Sequence, residues 1–70
     1  MDDDITSQIG RVTGRIAPGT IGEVRIAYRG GTETFHAYAC DAGQVIEVGA
    51  EIVVIELVGP RTVKVSPFDY

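Results

Sequence analysis

Apolar and polar residues alternate at period two in five separate runs between Gly10 and Ser66, with turn-forming clusters between them. That period places successive side chains on opposite faces of a β-strand. The first run, Gly10 to Ile16, carries Gly10, Val12, Gly14 and Ile16 on one face and Arg11, Thr13 and Arg15 on the other. Ala17-Pro18-Gly19 ends it, because Pro18 has no N–H to give a ladder and Gly19 accepts a positive φ. The second run, Ile21 to Tyr28, sets Gly22, Val24, Ile26 and Tyr28 against Glu23, Arg25 and Ala27. Arg29-Gly30-Gly31 then reads as a hairpin turn. The third run, Thr32 to Cys40, has Phe35, Ala37 and Ala39 on the face expected to point inward and Thr34, His36, Tyr38 and Cys40 on the other; small alanines suit a crowded, narrow barrel.

Glu51 to Val58 differs in being apolar on both faces: Ile52 and Val54 on one, interrupted by Glu56, and Val53, Ile55 and Leu57 on the other. Such a strand is covered on both sides or bent by a bulge. After Gly59-Pro60-Arg61, the last run, Thr62 to Ser66, points Val63 and Val65 inward and Thr62, Lys64 and Ser66 outward, and Pro67 stops it. Asp41 to Ala50 is a connection opening on the turn cluster Asp41-Ala42-Gly43; its apolar Val45, Ile46 and Val48 are expected to plug one end of a barrel.

Five short strands without an amphipathic helix or an internal repeat predict an all-β fold, a small five-stranded OB-fold-like β-barrel. An SH3-like barrel is the alternative, because alternation does not set strand order. Inward Gly10 and Gly14 would let the first strand bend enough to serve two sheets, and closure removes the edges that invite aggregation. The expected organisation is an acidic flexible tail or linker over residues 1–8, the barrel over 9–68, and a short end at 69–70.

Composition narrows the function classes. Seventy residues make one domain, of a size that buries only ~60% of its chain surface. The apolar fraction of 44% is enough for a core. Six basic and ten acidic residues give a net charge of −4, and Asp2, Asp3, Asp4 and Asp69 account for the whole excess. The body between Ile5 and Phe68 is neutral, with no general pull toward nucleic acid. Cys40 stands alone, so no disulfide framework is expected, and one Cys with one His does not make a structural zinc site. No metal and no cofactor are expected. The longest uncharged apolar run, Ile52 to Ile55, is far short of the ~20 residues that cross a bilayer, and the N-terminus is acidic where a signal peptide needs basic residues.

Taken in order, Ile9-Gly10-Arg11-Val12, Pro18-Gly19-Thr20-Ile21-Gly22-Glu23-Val24, Phe35-His36-Ala37, Ile46-Glu47-Val48-Gly49-Ala50-Glu51-Ile52-Val53-Val54 and Thr62-Val63-Lys64-Val65-Ser66-Pro67 give the chain a resemblance to the C-terminal soluble domain of NfeD-like membrane proteins. It covers roughly residues 9 to 67. The chain departs from that pattern in a slightly longer hairpin, Tyr28 to Thr32, and in lacking the family's membrane helices, so it would be an excised domain, or else a stand-alone copy. The resemblance implies an OB-fold barrel without known catalytic residues. It also implies a parent protein anchored by transmembrane helices and a link to stomatin- and flotillin-like proteins, which organise membrane patches. A domain facing the cytoplasmic side is expected, since a lone Cys is stable where thiols stay reduced.

Three groups of side chains remain as candidates for chemistry or recognition. His36 and Cys40 are the one nucleophile-type pair, but four residues along a strand is about 13 Å, too far for a dyad, and no catalytic residue is assigned. The outer face of the first three strands carries Arg11, Arg15, Arg25, His36 and Tyr38, a set that an OB-fold could use for single-stranded nucleic acid. Glu23 is expected to pair with one of those arginines, and Tyr38 is the one stacking residue, which leaves little for affinity. Val53, Ile55 and Leu57 form the third group. If Ile52 and Val54 fill the barrel, these three point outward as a docking strip for another copy or a membrane-scaffold partner; a covering connection or a bulge is the competing arrangement. The function expected from all this is a non-enzymatic interaction module, with nucleic-acid binding as the alternative.

Overall fold

The computed structural model describes residues 5–28 and 30–68. Five strands form as the alternation predicts: β1 (Ile9–Gly14), β2 (Gly22–Tyr28), β3 (Gly31–Ala39), β4 (Glu51–Gly59) and β5 (Thr62–Pro67). They close into one barrel in the order β1-β2-β3-β5-β4. All neighbours are antiparallel except β3 and β5, which run parallel with His36 opposite Thr62 and Ala39 opposite Val65. This is the OB-like arrangement; the SH3-like alternative does not occur. The inward faces meet as a core in which Val12, Val24, Ile26, Ala37, Ile52, Val54, Val63 and Val65 are almost completely buried. No polar or charged residue is buried among the described residues, so the interior is held by apolar burial and packing.

β1 pairs with β2 on one side and β4 on the other, so it has to bend. Gly10 permits this: a Cβ there would stand 2.8 Å from the Arg25 carbonyl oxygen and 2.9 Å from Ile26 Cγ1. Gly14 does not play the inward part expected of it. A bulge at Thr13 shifts the register so that Gly14 lies opposite Glu23, an outward residue. The second inward glycine is Gly22 on β2, whose missing Cβ leaves room for Ile16 and lies 2.8 Å from the Gly14 carbonyl oxygen. Between β1 and β2, Thr20 N–H donates to the Ala17 carbonyl at 3.0 Å, with Pro18 and Gly19 (φ +76°) at the corner. That is the Pro-Gly turn the sequence signals.

The plug is smaller than expected. Ile46 alone enters the barrel end, at 3% exposure, and it exchanges backbone hydrogen bonds with Ile16 at 3.0 and 2.8 Å. Val48 is 62% exposed and Val45 is also on the surface. Gly49 (φ +96°) and the Ala50 N–H to Glu47 carbonyl bond make a turn that holds Val48 on the outside. At the other end, the chain before β1 joins the folded body earlier than the expected boundary at residue 9. Ile5 is 3% exposed, Ser7 N–H donates to the Val54 carbonyl at 2.7 Å and Val54 N–H to the Gln8 carbonyl at 2.9 Å. Residues 1–4 of the expected tail, with its three aspartates, and residues 69–70 lie outside the described residues.

Two measurements check this account. Gly22→Ala should lower unfolding free energy by about 2–3 kcal/mol in urea titration, as overpacking against backbone does, whereas Gly19→Ala, with nothing near its Cβ, should cost about 1 kcal/mol through its positive φ. Ile46→Ala should cost about 2–4 kcal/mol and Val48→Ala no more than about 0.5 kcal/mol; equal effects would show that the connection plugs the barrel as a whole.

Candidate functional site

The outward strip on β4 is interrupted by two bulges. Residues directly opposite each other across a ladder point to the same side. Val53 lies opposite Ile9 on β1 and Ser66 on β5, on the outside and half-buried. The register then shifts at Ile55, so Glu56 meets Lys64 outside and Leu57 meets the core residue Val63. Leu57 therefore sits on the inner side at the barrel's rim, yet it remains 50% exposed. Ile55 emerges at the bulge, 48% exposed, and Val58, at the second shift, is exposed as well. Val53, Ile55 and Leu57 thus do not form one continuous face: Ile9, Val53 and Ile55 lie on the outer side of β1 and β4, while Leu57 belongs to the mouth. Ile9, exposed and on the same side of β1 as Arg11, is the residue the strip reading missed; its parity in Ile9-Gly10-Arg11 was the available signal.

At that mouth a recess of about 180 Å³ is lined by Ile5, Tyr28, Phe35, Leu57, Pro60 and Arg61. Tyr28 meets Phe35 edge-on, with centroids 6.5 Å apart at 76°. The Arg61 guanidinium lies 4.8 Å from the Phe35 ring centroid, donates to the Thr34 carbonyl at 2.6 Å and pairs with Glu33 at 3.3 Å. Three weak contacts hold one cation in place. A second, larger groove of about 340 Å³ opens at the plugged end between the Ala17-Pro18-Gly19 turn and Cys40-Asp41-Ala42, with Tyr38 and Lys64 on its border. None of its side chains hydrogen-bonds to another, so no acid–base pair is assembled there among the described residues.

The five residues of the alternative ligand face separate into groups. Arg11 and Arg25 are directly opposite each other across β1 and β2. Arg15 lies past the end of β1 and its Nε donates to both Glu47 carboxylate oxygens, at 3.2 and 3.1 Å. Arg11 approaches Glu51 at 3.7 Å and donates to the Gly49 carbonyl at 3.3 Å. His36 faces Glu23 on one side and Thr62 on the other, and Tyr38 faces Lys64. Among the described residues Glu23 does not pair with an arginine as expected: its carboxylate accepts from Thr13 Oγ1 at 2.9 Å, an arrangement the β1 bulge sets up. His36 and Cys40 are four residues apart along the β3 direction, both exposed, and Cys40 is a free thiol anchored by its backbone N–H to the Val65 carbonyl. No cluster of three metal-type ligands occurs among the described residues, and no helix of the described residues is long and apolar enough to cross a membrane.

Comparison with known proteins adds to this geometry. A family model, the NfeD C-terminal domain, matches residues 9–66. The chain is similar to the solution structure of the soluble domain of the NfeD protein YuaF from Bacillus subtilis. The two are 28% identical with a TM-score of 0.80, over 99% of this chain and 80% of that one. It also shares its fold with the C-terminal domain of stomatin operon partner protein 1510-C from Pyrococcus horikoshii, at 24% identity and a TM-score of 0.74, over 94% of this chain and 91% of that one. Among curated proteins none matches.

The Arg61 cluster predicts a stability effect without a functional one. Arg61→Ala should lower unfolding free energy by about 1–2 kcal/mol, from the lost ring and carbonyl contacts, and Arg61→Lys should recover only part of it, because an ammonium cannot stack and fork together. Full recovery in a thermal melt of the lysine variant would leave only the charge of Arg61 at work.

Proposed function

The chain belongs to the NfeD C-terminal domain family, and from that premise we propose that it is a non-catalytic interaction module, the barrel domain of a membrane-anchored NfeD-like protein that contacts stomatin- or flotillin-like scaffold proteins. The observation that carries this reading is the exposed apolar surface of β4 and its neighbour β1: Ile9 and Ile55 lie on the outer side beside the half-buried Val53, and Val58 is exposed at the second bulge. These side chains are about half exposed, so each forgoes only part of the roughly 1.5–3 kcal/mol that full burial brings, and grouped apolar exposure marks contact surfaces. The name of the Pyrococcus horikoshii protein, a stomatin operon partner, supports the choice of partner class. In this reading the domain faces the cytoplasmic side, where its exposed free thiol stays reduced. Contact with a second copy through the same surface is the other form of the module.

The nucleic-acid alternative loses support from the ion pairs: Arg15 and Arg11 each have a glutamate beside them, and one exposed aromatic on this face, Tyr38, is available to stack.

Titration of the ¹⁵N-labelled domain with the purified soluble part of a stomatin-like protein tests the proposal. Amide shifts should concentrate at Ile9, Val53 and Ile55, and Ile55→Ser should weaken binding roughly tenfold, the loss of about 1.4 kcal/mol expected for one apolar contact. No shift at hundred-micromolar partner, together with no self-association in sedimentation, would overturn the module reading.

A further inference from the structure

We propose that Arg25, opposite Arg11 across β1 and β2, receives a carboxylate from a protein partner, whose neighbouring apolar side chains lie on Ile9, Val53 and Ile55. The inference rests on the interaction-module reading and adds the place and the chemistry of the contact. Its starting point is a local conflict in the sheet. Arg11 and Arg25 are directly opposite across β1 and β2, where Cβ atoms stand about 4.5–5.5 Å apart and like charges repel. On its other side Arg11 faces Glu51, whose carboxylate is 3.7 Å away. Arg25 faces the uncharged Thr34 on its other side and forms no ion pair or side-chain hydrogen bond among the described residues. Arg11 is thus paired with Glu51, whereas Arg25 has no carboxylate at ion-pair distance among the described residues: Glu23, two residues along β2 on the same face, accepts from Thr13 instead.

A carboxylate is the natural complement, because a guanidinium presents parallel N–H donors at the spacing of its two oxygens. The surface around the pair sets what carries that carboxylate. Ile9 lies two residues from Arg11 on the same side of β1 and opposite Val53, and Ile55 emerges two residues further along β4. An acidic residue set among apolar ones fits both halves. A nucleic-acid strand fits less well: Tyr38, the exposed aromatic on this face, is four residues along β3 from Thr34, about 13 Å away.

The test uses the ¹⁵N-labelled full chain and three probes: a peptide of alternating leucine and glutamate, its leucine–lysine counterpart, and a ten-residue oligothymidylate. The glutamate peptide should shift Ile9, Arg11, Arg25 and Val53 together, weaken as salt rises, and bind Arg25→Gln at least fivefold less well. Arg25→Gln should also melt at the same temperature as the wild type or higher, since it relieves the like-charge pair; a structural arginine would give a lower one. Equal shifts with the lysine peptide, undiminished binding by Arg25→Gln, or a drop in its melting temperature would overturn the inference. Tighter binding of the oligothymidylate to the same residues would overturn it in favour of nucleic acid. A stomatin-like partner whose binding survives Arg25→Gln would remove this site while leaving the interaction module standing.

Discussion

Everything in this fold depends on backbone approaching backbone where a five-stranded cylinder is too narrow for side chains. At Gly10 the bent first strand comes close to the Arg25 carbonyl and the Ile26 side chain, and at Gly22 the space of a Cβ is taken by Ile16. These two positions let β1 ladder to β2 and β4 together, which closes the sheet and removes its edges. Closure then gives the valines and isoleucines of all five strands one shared interior, and their burial supplies the stabilisation.

A closed barrel this small sends every second residue outward, and its outer surface has to be managed. Arg15 with Glu47, Arg11 with Glu51 and Arg61 with Glu33 put three of the arginines beside glutamates from other elements. All three pairs are exposed, so they contribute little to stability. They matter more for recognition, because they lower the cationic character of the face that an OB-fold could offer to nucleic acid. Among the described arginines, what remains outside the pairing is Arg25, and beside Arg11 on β1 lies the apolar surface of Ile9, Val53 and Ile55.

The two β4 bulges show how local geometry redirects recognition. Without them Val53, Ile55 and Leu57 would share one outward face. With them Leu57 turns to the inner side and joins Tyr28, Phe35 and Arg61 at the mouth, while Ile55 is pushed out at the bulge. The double apolarity of β4 signalled that something unusual happens there, and Glu56 marked the place. Which residue would be the inserted one was not legible, because a bulge follows from the register against β5 and not from β4 itself.

Strand number, inward valines and the Pro-Gly turn could all be read from the chain, because period-two alternation and turn chemistry are local properties. The family resemblance was equally readable, carried by the order of those local pieces. The tertiary structure alone decided the parallel β3–β5 seam, the burial of Ile5, the lone plug Ile46 and the outward turn of Gly14. It also brought Arg11 against Arg25 and gave Glu23 to Thr13. Each of these depends on which residue of a distant strand lies opposite, and a one-residue shift at a bulge reverses the face of everything beyond it.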